Sequence, residues 1–193
     1  MIRMMKKNKL FFSFLFLSLL FFLISIFLTA LIPNNIQSEI NHNIQNFLSN
    51  KSYFNTHQSF FISIIHHSLP LIVLWLLGIS VIGIGVILIF FLLKILLFSW
   101  NCVFLFSHLT ISNFIFIFLY LLVPFLYLIL LFFLSYYSMS YSLLLIRCLI
   151  LKKSFSLHSI TFNYLKILFL FLFIVFLLSL FELYFIPIII SIF

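Results

Sequence analysis

Acid is almost absent from this chain: none of its 193 residues is aspartate and two are glutamate, Glu39 and Glu182, against ten lysines and arginines. No nucleophile, base and orienting group can be assembled from such a set, and there is no Walker A sequence, GxSxG or Rossmann fingerprint. An enzyme working alone is therefore not expected, and neither is a cofactor. The two cysteines, Cys102 and Cys148, stand far apart in apolar runs without ligand spacing, so they read as small hydrophobes and not as metal ligands. Charge of either sign is scarce at 6%, where a soluble domain carries about a quarter.

Apolar residues fill the space. Hydrophobic residues make up 66% of the chain and the mean hydropathy is +1.42. So little polar surface cannot cover a globule of this size, whereas a bilayer accepts an apolar exterior along its core of roughly 30 Å. The formal charge of +8 does not indicate nucleic acid, because no basic patch interleaved with aromatics lies on a polar segment. The basic residues flank apolar runs, as the positive-inside rule describes. The expected fold is all-α: a single polytopic helical domain with about five transmembrane helices and its N-terminus in the cytoplasm, multi-pass in the cell membrane.

The basic start, with Arg3, Lys6, Lys7 and Lys9, precedes span 1 at 10–32, an apolar run too long for a signal-peptide core. Residues 33–67 form the only long polar segment, where Ile36, Ile40, Ile44, Phe47 and Leu48 recur at helical spacing opposite Asn, Gln, Ser and Glu39. That pattern predicts an amphipathic helix on the outer surface, followed by a short interfacial helix around Phe60, Phe61, Ile64 and Ile65. The next 38 apolar residues would measure about 57 Å as one helix, more than a span uses. Placing Lys94 at the cytoplasmic side divides them into span 2 at 69–92 and span 3 at 95–111. Pro124 similarly divides 114–151 into a half-length membrane-dipping segment at 114–123 and span 4 at 124–146. A cytoplasmic loop at 154–166 then leads to span 5 at 167–186. In this topology Arg3, Lys6, Lys7, Lys9, Lys94, Arg147, Lys152, Lys153 and Lys166 lie inside and only Lys51 outside.

Glu182 is the only acid in any span. Ionisable residues at membrane depth are costly and point to a proton or ion site or to a buried polar partner. The competing reading is an interfacial glutamate reaching water beside Tyr184 and Pro187. His42, His57, His66 and His67 cluster on the outer side but lack HExxH spacing and a carboxylate companion, which favours neutral interfacial histidines over zinc. Ser135, Ser138 and Ser142 form one stripe of span 4, and Gly78, Gly83 and Gly85 punctuate span 2. Small residues let helices approach closely in lipid, so packing is the favoured role, with a polar conduction lining as the alternative.

The order of features resembles the stage II sporulation protein M family of integral membrane proteins. The residues that carry the resemblance are LIVLWLLGISVIGIG (71–85), FLLK (91–94), Val123-Pro124, SMSYSLLL (138–145) and FELYFIP (181–187), with Gly85 standing where the family tends to carry proline. The resemblance spans about residues 57–193. It implies a scaffold that joins cell-wall-cleaving partners, stage II sporulation proteins D and P, at the septal membrane during forespore engulfment. The alternative is the permease subunit of an ABC-type exporter, motivated by the polytopic helices, the broken half-span at 114–123 and a loop at 154–165 able to touch an ATPase.

Overall fold

The computed structural model describes residues 2–29, 31–49, 60–80, 82–110, 114–151 and 157–185. Among them the secondary structure is helical, without strands. Six helices follow one another: α1 (Ile2–Thr29), α2 (Asn34–Ser49), α3 (Phe60–Gly78), α4 (Gly83–Ser107), α5 (Phe114–Leu151) and α6 (Leu157–Leu180), the last continuing into a π-helical turn at Phe181–Phe185. Five stretches are long and apolar enough to cross a membrane: Lys9–Thr29, Phe61–Gly78, Gly83–Ser107, Phe114–Cys148 and Thr161–Phe185. In hydrocarbon every backbone amide needs an internal partner, and long helices supply one within each segment.

The number of spans is as expected, but four boundaries are not. The break between the second and third spans lies at residues 79–82, not at Lys94, which is half-buried within α4. Local chemistry explains the shift. The Ser80 hydroxyl accepts the Gly83 amide at 2.9 Å, capping α4 as an N-cap side chain does. The Ile79 and Ser80 amides close the end of α3 on the Leu76 and Leu77 carbonyls, both at 3.1 Å. The separate interfacial helix expected near residue 60 is instead the start of α3. The half-segment 114–123 is not a separate element either, because α5 runs unbroken through Pro124. Proline removes one amide donor and crowds the preceding turn, but a chain break in lipid would orphan far more backbone groups than one. At 38 residues α5 is about 57 Å long, so it extends beyond the hydrocarbon or crosses it steeply tilted. Finally, residues 157–166 are helix and not loop, which puts Lys166 inside α6, its ammonium 4.7 Å from the centre of the Phe162 ring.

Arg3, Lys6, Lys7 and Lys9 lie in the first turns of α1, which begins well before Leu10, and Arg147 is exposed near the end of α5. Lys51, His57, Lys152, Lys153, residues 154–156 and Ile186-Pro187 lie outside the described residues.

The chain divides into two compact units, residues 1–56 with 92–124 and residues 57–91 with 125–193. In the first, the buried hydroxyls of Ser25 and Ser99 pair with each other and join α1 to α4. His108 Nε2 donates to Asn41 Oδ1 at 3.2 Å, tying the amphipathic α2 to the end of α4. The second unit is built on apolar lines at helical spacing: Leu71 and Leu74 on α3, Leu130, Leu131 and Leu134 on α5, and Phe171 and Val175 on α6, all buried. Burial against neighbouring helices here replaces lipid contact and not water contact, so close packing and interhelical hydrogen bonds hold the unit together.

Candidate functional site

Two polar clusters interrupt the apolar core of the second unit. The first surrounds Tyr164, on the buried face of α6. Its ring is stacked between Trp75 of α3, at 5.3 Å between centroids, and Tyr141 of α5, at 4.1 Å and nearly parallel. Trp75 Nε1–H donates to the Tyr164 carbonyl at 3.2 Å, and the Tyr164 hydroxyl donates back to the Trp75 carbonyl at 2.9 Å. With its one proton used there, the Tyr164 hydroxyl accepts from the Ser138 hydroxyl at 2.8 Å. Ser142 donates to the Ser80 carbonyl at 2.7 Å and fastens α5 to the 79–82 turn, while the Tyr141 and Thr161 hydroxyls pair at 2.8 Å.

Gly78 makes this convergence possible. A Cβ on Gly78 would collide with the Tyr164 hydroxyl and come within 2.9 Å of Ser138 Cβ, so three helices meet where one side chain is missing. Gly83 is equally constrained, since a Cβ there would run into the Leu77 carbonyl. Gly85 is different: it is exposed and has open space where a Cβ would point, so its expected part in packing is not found. Ser135, Ser138 and Ser142 are all fully buried on one face, and two of them bond across helices. Among the described residues the Ser135 hydroxyl has no hydrogen-bond partner.

The second cluster is at the other end of α6, on the π-helical turn. Glu182 Oε2 accepts the Ser63 hydroxyl at 3.2 Å and faces His67 Nε2 at 3.0 Å, both groups coming from α3 one helical turn apart. Tyr127 of α5 donates to the His67 carbonyl at 2.8 Å, and its ring lies 5.0 Å from the imidazole. Single π turns recur at functional sites because they turn a side chain away from the α-helical register. Here the turn carries the one acid of the spans onto α3. Of the two readings of Glu182, the polar-partner one describes its surroundings, although its side chain keeps 33% of its surface open. The histidines do not form a metal centre among the described residues: His67 takes Glu182, and His42 Nδ1 accepts from Asn46 Nδ2 at 3.1 Å.

Pattern reading did not single out Ser63, Trp75, Tyr127, Tyr164 or Ser179. One signal was available for the aromatic ones: Trp and Tyr at membrane depth each carry a polar group that needs a partner, so they mark interhelical contacts.

Five helices long and apolar enough to cross a membrane, several of them joined through polar side chains, define a multi-pass helical membrane protein. Comparison with protein-family models, with curated proteins and with solved structures found no match to this chain.

Proposed function

We propose that the protein is a non-catalytic membrane scaffold that gathers peptidoglycan-degrading proteins at the septal membrane during forespore engulfment, with stage II sporulation proteins D and P as its partners. The observation that carries this reading is that the residues on which the family resemblance rests make their polar and close contacts within one unit, in two clusters. Trp75 and Gly78 from LIVLWLLGISVIGIG, Ser138, Tyr141 and Ser142 from SMSYSLLL, and Glu182 from FELYFIP spend their polar groups and their close contacts within one unit. Such a unit is tied together by hydrogen bonds between its helices and carries apolar side chains on its outward faces, suited to holding partners anchored in the same membrane. In this reading the N-terminus and the 79–82 turn face the cytoplasm, and α2 and Glu182 face outward. The exporter reading loses one of its motives, since α5 has no broken half-span.

Deleting the gene in a spore-forming host is expected to arrest engulfment after septation, and mild-detergent extraction is expected to bring down wall hydrolases. Normal engulfment in the deletion strain, or co-purification of a nucleotide-binding subunit instead, would overturn the proposal.

A further inference from the structure

Leucines on the outside of a membrane helix are covered by lipid and mark nothing by themselves. An amide there is different, and α4 carries one. Asn101 is exposed, as are Leu97 and Leu93, one and two turns before it, so the three form one outward ridge. α4 measures about 37 Å against a hydrocarbon layer of roughly 30 Å, and Asn101 stands about 9 Å of helix short of the end at Ser107. With α4 centred in the layer, the Asn101 amide lies within the apolar part.

Among the described residues none uses that amide, since no hydrogen bond joins it to another of them. The hydroxyls beside it on α4 are all engaged: Ser99 pairs with Ser25, and Ser107 donates to the Phe104 carbonyl at 2.7 Å. An unpaired amide in hydrocarbon is costly, and asparagines at such depth are satisfied by a hydrogen bond across a helix contact.

We propose that the ridge Leu93, Leu97, Asn101 is the contact between two copies of this chain, which pair α4 against α4. The occupant follows from the charge distribution of the amide. Its NH2 group is partly positive and its carbonyl partly negative, so it complements an identical amide turned about a two-fold axis. A carboxylate would use only the NH2 group and a cation only the carbonyl. Copies inserted in the same orientation lie parallel, with the axis along the membrane normal, and each Asn101 meets its counterpart at the same depth. Nδ2–H of each then donates to Oδ1 of the other. Side chains four residues apart make the ridges that pack in right-handed helix crossings, and the two leucines close the contact beside the amides. The inference needs only α4 within a bilayer and does not rest on the scaffold reading.

The test uses the purified full-length protein in detergent micelles, with sedimentation equilibrium giving the monomer–dimer constant. The native chain is expected to be dimeric, and Asn101→Leu is expected to raise the dissociation constant about tenfold. Asn101→Gln keeps both halves of the amide and should fall closer to the native constant. Because Asn101 bonds to no described residue of its own chain, Asn101→Leu is expected to keep the native helix content. In membranes, with Cys102 and Cys148 replaced by alanine, Leu97→Cys is expected to oxidise to a disulfide-linked dimer, whereas Phe173→Cys on the exposed face of α6 is not. A monomeric native chain would overturn the proposal, as would equal constants for the native chain and Asn101→Leu, or a disulfide-linked dimer from Phe173→Cys and none from Leu97→Cys.

Discussion

Gly78→Ala is expected to destabilise the protein by about 1–3 kcal/mol, the cost of forcing an extra methyl into a packed core. The new Cβ would strike the Tyr164 hydroxyl and approach Ser138 Cβ to 2.9 Å, and neither can retreat cheaply. Tyr164 is stacked on both faces and bonded to the Trp75 carbonyl, and Ser138 sits on the backbone of α5. Gly78→Leu should exceed that range and reduce the yield of folded protein. Gly85→Ala supplies the control, since open space surrounds that position. Alanine there should be neutral or stabilising by a few tenths of a kcal/mol to about 1 kcal/mol, because it favours the helix over glycine. Thermal unfolding followed by tryptophan fluorescence measures both, and equal behaviour of the two alanine variants would remove the three-helix contact from the account.

The second large effect is expected at Glu182. Replacing it with alanine leaves the Ser63 hydroxyl and His67 Nε2 without their acceptor, a loss of about 1–2 kcal/mol once the partial exposure of both side chains is allowed for. Glu182→Gln keeps an acceptor oxygen and should recover part of the loss. Because His67 is the direct partner, His67→Ala and Glu182→Ala together should cost less than the sum of the two alone. Strict additivity in that double-mutant cycle would mean that the contact contributes nothing.

The same two sites show how far the sequence could be read. Five apolar runs and the amphipathic pattern of 34–49 were legible, because hydropathy and helical spacing are local properties. The small-residue stripe Ser135, Ser138 and Ser142 was legible for the same reason, and all three are buried. The partner of Glu182 was not legible, since His67 lies 115 residues away and no local pattern encodes a contact of that separation. The turn at 79–82 was readable in principle from a glycine, a capping serine and a second glycine within six residues. Lys94 obscured it, because a lone lysine in an apolar run looks like the end of a span. A long aliphatic stem lets lysine sit within a span all the same. Pro124 misled in a similar way, since its disruptive effect in soluble helices is muted where the backbone has no water to turn to.

The position of that turn decides which residues converge, because a break at Lys94 would not place Gly78 and Ser80 where α5 and α6 meet them. It is tested directly by replacing Cys102 and Cys148 with alanine and introducing single cysteines as Ser80→Cys or Lys94→Cys. Each is then probed in the membrane with an impermeant maleimide. Ser80→Cys is expected to react, and from one face only, while Lys94→Cys stays protected from both faces. Rapid labelling at position 94 with protection at position 80 would contradict the account.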